Sequence, residues 1–384
     1  MSRLEELIQE LCPDGVEYRK LKEVSCMQRG TSLTKAKAVD GDIPVISGGK
    51  EPAFYCNSSN RDRETITVAG SGAGAGYVQY WNIPIFANDC FTVKGNEFTE
   101  TKYLYYFMTT IQDKISDTKK GGGVPHVHIS DVENFSLPVP PLEVQREIVR
   151  ILDNFTSLKA ELQAELQARK KQYEFYRDSL LNFKNDIPVI PLKEVVKYSC
   201  SGATPSKNNA DYYEGGTIPW IRTQDVHFNE IKRVETFITE KAVKETAVKW
   251  IPENCVIVAI SGATAGRCAI NKIKATTNQH CLNMEIDDNK ALYKYVYYCL
   301  CSKRDELMSK KQGARGDLNS SLILGTNIPV PDINIQKKIV HVLDNFESIC
   351  SDLNIGLPAE IEARQKQYEY YRDKLLSFQV KSYD

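Results

Sequence analysis

The sequence predicts a mixed α/β protein in which two globular domains alternate with two long antiparallel coiled-coil helices, related by an internal pseudo-two-fold repeat. Three observations lead there. Lys171–Asp178 reads KQYEFYRD and Lys366–Asp373 reads KQYEYYRD. Upstream of each, Leu137–Phe155 (LPVPPLEVQREIVRILDNF) matches Ile328–Phe346 (IPVPDINIQKKIVHVLDNF). Turn-rich, strand-rich stretches also alternate with helical ones. A repeat this long that occurs twice means two equivalent halves, because a solenoid needs about three or more short stacked units. A two-fold protein can meet a partner with two-fold character, and duplex DNA is the commonest.

The expected order is a first globule over residues 1–141, a helix over 142–186, a second globule over 187–331 and a second helix over 332–384. The first globule opens on a short amphipathic helix (MSRLEELIQELC), which lacks the build of a signal peptide. Its strands are short apolar runs bounded by turn residues, such as Glu64–Val68 (ETITV). The first helix follows Pro141, a residue suited to the first helical position. From Leu142 to Phe183 there is neither Gly nor Pro, and apolar residues fall in steps of three and four through Ile148, Ile151, Phe155, Leu158, Leu162 and Leu166. That is a coiled-coil seam, and unbroken it would span up to ~60 Å.

The second globule repeats the order of the first. Pro191–Val195 matches Lys20–Val24, Val258–Gly266 (VAISGATAG) matches Val68–Gly76 (VAGSGAGAG), and Tyr295–Leu300 matches Tyr103–Met108. The second helix starts like the first but meets Asn354–Pro358 (NIGLP), where Gly356 and Pro358 should end or kink it. The matched stretches around that point lie four residues further apart than in the first copy, about one helical turn.

Composition narrows the class. The 384 residues suit two or three domains, and 42% hydrophobic with 26% charged residues can bury real cores. The net charge of −1 means that any nucleic-acid surface must be local. Eleven scattered cysteines, without C-x-x-C pairs or zinc spacing, read as reduced thiols in a cytoplasmic protein. No apolar run approaches the ~20 residues of a membrane span.

Several motifs invite sharper readings that their surroundings disfavour. Gly70–Gly76 (GSGAGAG) lacks the Lys-Ser/Thr of a phosphate loop and reads as a tight strand-to-strand turn, as does its counterpart Ser261–Gly266. His126 and His128 have no acidic or thiol companions at metal-site spacing, so ordinary loop or core histidines are expected and no metal. His280–Cys281 lacks an orienting third group and reads as a buried strand end. Tyr103, Tyr105, Tyr106, Tyr295, Tyr297 and Tyr298 have helical spacing and read as core rather than as a base-stacking platform. No Asn/Asp-Pro-Pro-aromatic loop and no Gly-rich cofactor loop occurs, so no catalytic residues are expected.

At QYEFYRDSLL (Gln172–Leu181), QYEYYRDKLL (Gln367–Leu376), the two proline-rich helix starts, Leu11–Val24 and Gly202–Val226, the chain resembles the DNA-specificity subunits of type I restriction–modification systems. The resemblance covers essentially the whole chain. It implies two target-recognition domains, each reading one half of a bipartite double-stranded DNA site, with helices that set the spacing. It also implies two methyltransferase subunits as partners, which modify adenine with S-adenosylmethionine, and a motor–nuclease restriction subunit. The subunit itself would catalyse nothing and hold no cofactor. The NIGLP break departs from the pattern.

Within that reading, base and phosphate contacts are expected from loop Arg, Lys, Asn and Gln. The candidates are Lys50, Arg61, Arg63, Lys119 and Lys120 in the first globule. In the second they are Lys207, Asn208, Arg222, Gln224, Arg267, Lys310, Lys311, Arg315 and Asn319. Tyr173, Tyr176, Tyr368 and Tyr371 lie on the helical seam, as packing or as the landing site of a methyltransferase subunit. The other reading, of a different class, is a two-headed protein-binding scaffold that never touches bases.

Overall fold

The computed structural model describes residues 2–121, 123–183, 187–310, 317–351 and 356–381. They form two compact units, one of Met1–Gln163 with Glu360–Asp384, the other of Ala164–Ala359. Each unit therefore holds one globule, the start of the helix that leaves it and the end of the other long helix.

The first unit contains α1 (Arg3–Leu11), β1 (Tyr18–Lys20), α2 (Leu21–Val24), β2 (Ser25–Arg29), β3 (Ile43–Ile46), β4 (Phe54–Cys56), β5 (Thr65–Ala69), β6 (Val78–Trp81), β7 (Phe86–Ala87), β8 (Cys90–Gly95), α3 (Thr101–Thr110), α4 (Gln112–Asp117), α5 (Ile129–Val132), β9 (Ser136–Pro138) and the start of α6 (Leu142–Leu180). Ser2 caps α1 through a reciprocal capping box with Glu5, which explains why this short helix begins where it does. Four antiparallel strands, in the order β2-β8-β5-β6, make the main sheet, beside a smaller one of order β4-β3-β7. One face of the main sheet presents Ile66, Val68, Phe91 and Val93 to Tyr103, Leu104 and Phe107 of α3. The other face buries hydroxyls: Thr65, Thr67 and Thr92 are all under 5% exposed. Those hydroxyls are satisfied, since Trp81 Nε1 donates to Thr67 (2.9 Å) and Arg61 Nε donates to Thr92 (2.7 Å).

The second unit repeats this plan with an enlarged second layer. It contains β10 (Val189–Pro191), β11 (Val196–Ser201), β12 (Ile218–Ile221), β13 (Asn229–Ile231), β14 (Phe237–Ile238), α7 (Glu240–Glu245), β15 (Trp250–Ile251), β16 (Val256–Ala259), β17 (Cys268–Asn271), β18 (Ala275–Thr277), β19 (Cys281–Ile286), α8 (Tyr293–Ser302), α9 (Arg304–Ser309), α10 (Ser320–Leu324), β20 (Asn327–Pro329) and α11 (Ile333–Ser351). Its main sheet has the order β11-β19-β16-β17-β13, and its second sheet β14-β12-β18-β15. Here the layer between the sheets is largely apolar, with Ile221, Val226, Ile257, Ala259 and Ala269.

The helix starts are built identically. Gln145 and Gln336 are both fully buried. Gln145 Nε2 donates to the carbonyls of Phe98 (2.8 Å) and Pro140 (2.7 Å), and its Oε1 accepts from the Glu100 N–H (2.9 Å). Gln336 does the same with Lys290 (3.2 Å), Pro331 (2.8 Å) and Leu292 (2.9 Å). Tyr103 and Tyr295 donate to the carbonyls of Pro138 (3.0 Å) and Pro329 (2.9 Å). The hydroxyls of Tyr106 and Tyr298 sit 2.5 and 2.6 Å from Asp153 and Asp344, which also pair with Lys102 and Lys294. These tyrosines are core, as their helical spacing predicts; Tyr105 is partly buried against it.

The first long helix, α6, is unbroken over 39 residues. The second is interrupted at Gly356: α11 is described as far as Ser351, and α12 (Leu357–Leu375) starts with Pro358 in its first turn, where a missing N–H costs nothing. Asn354 and Ile355 of the predicted break lie outside the described residues. Within the first unit the helical segments run antiparallel, Phe155 stacking on Tyr371 (5.5 Å) and Lys159 Nζ donating to Gln365 (2.6 Å). Within the second, Tyr176 stacks on Phe346 (5.4 Å).

Candidate nucleic-acid interface

Each unit gathers its loops along one edge of the main sheet, and the same backbone contacts frame both edges. In the first unit, β3 and β7 end side by side, and the Asn88 N–H donates to Ile46 (2.8 Å). In the second, the Asn278 N–H donates to Ile221 (3.0 Å). The Gly70 N–H then donates to Asp89 (3.1 Å), and the Val127 N–H to Gly70 (3.1 Å). Their counterparts are Ile260 to His280 (2.9 Å) and Leu318 to Ile260 (2.8 Å).

The glycine-rich segments are the tight turns the sequence predicts. Gly72 and Gly76 have φ of +82° and +83°, and Gly262 and Gly266 of +68° and +77°, a region that favours glycine. Gly30 and Gly202 follow equivalent strands. A Cβ there would meet the carbonyl of Asn88 at 2.1 Å or of Thr277 at 1.8 Å, so nothing larger than glycine lets the chain pass the turn.

On this common frame the exposed side chains differ. The turn after β7 carries Asp89, whose carboxylate accepts from Ser71 Oγ. Beside it His126 and His128 stack at 6.0 Å, lining with Arg29 and Asp89 a cleft of about 180 Å³. Thr31 and Leu33 hang the Lys35–Lys37 segment from Ala87 and Asn88 through their N–H groups (both 2.9 Å). The turn after β18 is one residue longer. It presents Gln279, which accepts from Thr204 Oγ1 and has its Nε2 3.2 Å from His280 Nε2. Asp317 there takes the place of His126, accepting from the Gly262 N–H (3.3 Å), and Arg267 lies 2.7 Å from His227 Nδ1. Carboxylate and imidazole thus exchange positions between the two edges.

The predicted contact residues divide unequally. Lys50 sits at the first edge with its Nζ over Tyr77 (5.1 Å), and Lys120, paired with Asp131, bridges to His126 beside half-buried Lys119. In the second unit Gln224 is exposed in the turn after β12, Arg267 lies at the edge, and Lys207 and Asn208 are exposed in the loop after β11. Other candidates have partners within their own unit or lie elsewhere on it. Arg61 donates to Thr92 and to the carbonyls of Asn60 and Arg29 (all 2.7 Å), because the hydroxyl layer needs a donor there. Arg63 lies toward the other end of the sheet, its carbonyl accepting from Lys94 (3.2 Å). Arg222 sits 3.8 Å from Asp225, which caps its turn by accepting from the Arg222 N–H (2.7 Å). Asn319 caps α10 (2.7 Å), and Lys310 pairs with Glu306 (2.6 Å). Lys311 and Arg315 lie outside the described residues. Lys35, Lys37, Asp89, Thr204, His227 and Gln279 also stand at these edges, and no repeat or motif marks them in the sequence.

The weighed motifs resolve in the same way. Cys281 is fully buried, and burial pushes its thiol up to about 12, so it is no thiolate at neutral pH. Its neighbour His280 is exposed rather than buried, because it belongs to the edge turn. Among the described residues no cluster could hold a metal ion, and no helix is long and apolar enough to cross a membrane. On the helices, Tyr173 and Tyr368 pack on the two cores, under Arg177 and Arg372. Tyr176 and Tyr371 form edge-on pairs with Phe175 (5.6 Å) and Tyr370 (5.3 Å), and the latter rings face outward, 67% and 62% exposed.

Comparison with known proteins agrees with this geometry. Residues 13–169 and 184–363 each match the model of the type I restriction modification DNA specificity domain. The specificity subunit of a type I restriction enzyme of Escherichia coli is 34% identical, over 98% of this chain and 97% of its own. The fold matches the crystal structure of a type I restriction–modification S subunit from M. genitalium, with a TM-score of 0.61 at 16% identity, over 94% of this chain and 96% of that one. A chain from a structural study of type I complex assembly and conformational transition also gives a TM-score of 0.61 at 16% identity, over 95% of this chain and 98% of its own. Nothing in these matches supports a two-headed protein scaffold. The chain belongs to the family of type I restriction–modification DNA specificity subunits, non-catalytic members of their complexes, and carries one specificity domain in each half.

Proposed function

We propose that each unit reads one half of a split double-stranded DNA site through its loop edge, and that the long helices carry two methyltransferase subunits and govern the gap between half-sites. The observation that carries this reading is the pair of edges, framed by the same backbone hydrogen bonds but bearing different exposed side chains. A common frame keeps the approach to DNA alike, while different side chains meet different base edges. With a net charge of −1, the grip on phosphate would be shared with the partner subunits. Methyl transfer from S-adenosylmethionine, and cleavage by a restriction subunit, would belong to those partners in the reducing cytoplasm. The paired rings Phe175–Tyr176 and Tyr370–Tyr371 are the positions at which the methyltransferase subunits would dock, since exposed aromatics at twin sites are costly unless covered.

Exchange of residues 187–331 for the corresponding domain of a relative tests the reading. One half of the recognised site is expected to change while the other half is kept. A simultaneous change of both halves would refute two independent readers.

A further inference from the structure

We propose that the turn after β7 and the turn after β18 are the base-reading positions of the two units, with Asp89 selecting cytosine in one half-site and Gln279 selecting adenine in the other. This deepens the two-reader function and rests on it.

The argument starts from what each side chain can still offer. Gln279 is exposed at the tip of a turn whose backbone is fixed from both sides, by Asn278 on Ile221 and by Ile260 on His280. Its carbonyl oxygen accepts from Thr204 and keeps one lone pair; its amide nitrogen lies against His280 and keeps one N–H. One free acceptor and one free donor match the N6 amino group and N7 of adenine in the major groove. Thr204 and His280 hold the amide, so little rotamer freedom is lost on binding.

Asp89 occupies the matching turn with the opposite capacity. A carboxylate has no donor, and one of its oxygens already accepts from Ser71. What remains can only accept, which suits the N4 amino group of cytosine and repels the N7 and O6 acceptors of guanine. The neighbouring positions follow the same inversion: through Gly70 the chain at His126 runs next to Asp89, and through Ile260 the chain at Asp317 runs next to His280.

The full chain, co-expressed with its methyltransferase subunits, tests this by mapping methylated adenines across the host genome. Gln279→Glu replaces the donor by an acceptor. It is expected to move one position of one half-site from adenine toward cytosine, by roughly ten- to a hundredfold in relative preference, with the other half-site unchanged. Asp89→Asn supplies a donor and is expected to shift one position of the other half-site from cytosine toward adenine. Both residues are exposed, so neither change touches the core, and Gln279→Ala, which should merely relax its position, guards against an effect of the new charge. Unchanged half-sites in all three variants would overturn the assignment. A wild-type complex that leaves no split motif would instead overturn the two-reader function on which the assignment stands.

Discussion

Gln145 shows how one residue joins a globule to its helix. Fully buried, it satisfies three backbone groups at the turn into α6. Replacement by Ala leaves them without partners at about 1–3 kcal/mol each, so Gln145→Ala should lower unfolding free energy by about 3 kcal/mol or more in urea titration. A loss under ~1 kcal/mol would mean that water replaces the amide. Glu347 offers a test of a different kind. The Tyr298 hydroxyl lies 2.6 Å from Asp344 and 2.8 Å from Glu347, and one hydroxyl proton cannot serve both carboxylates. Burial raises the Glu347 carboxyl above its ordinary range, against the opposing pull of the Tyr298 hydrogen bond and of Lys294; Asp344 adds to the rise. A raised folded pKa favours the proton in the folded state. Its stabilising contribution is complete below the unfolded value of about 4.3 and fades as pH rises through the raised value. Glu347→Gln should therefore gain melting temperature over wild type at pH 7 and little at pH 4. A difference independent of pH would show that folding leaves the Glu347 carboxyl unshifted. The equivalent position in the first unit is Thr156, so that unit should lack this dependence.

Among elements, the helices were the most legible. The spacing of Ile148, Ile151 and Phe155 announces α6, and the matched Gln145 and Gln336 mark the two helix starts because each has the same buried work to do. The break before Leu357 follows from Gly356 and Pro358. The glycine turns were legible too, since positive φ leaves few other residues possible at Gly72, Gly76, Gly262 and Gly266. The contact residues were much less so. Arg61 reads as a loop cation, yet its guanidinium donates to Thr92 and two carbonyls, and the exposed Asp89 and Gln279 differ between halves and follow no pattern. The helical tyrosines were half legible: Tyr176 and Tyr371 reach the surface, but only beside the unpredicted Phe175 and Tyr370. Those exposed rings give an element-scale prediction. Phe175→Ala with Tyr370→Ala should abolish co-purification of the methyltransferase subunits while circular dichroism and melting of the chain stay near wild type. Full retention of both partners would move the docking surface elsewhere.

For the whole molecule, the decisive property is that one near-neutral chain carries two edges of the same frame and different chemistry. Two such readers specify a longer target than either alone, and the mismatch cost at each position, about 1–3 kcal/mol, adds across well-separated contacts. The most direct measurement is a genome-wide map of methylated adenines in a host that holds the methyltransferase subunits, with and without this chain. A split motif, two short half-sites around a fixed gap, should be present with the chain and vanish without it. A methylation map that is the same in both hosts would contradict a specificity role for this protein.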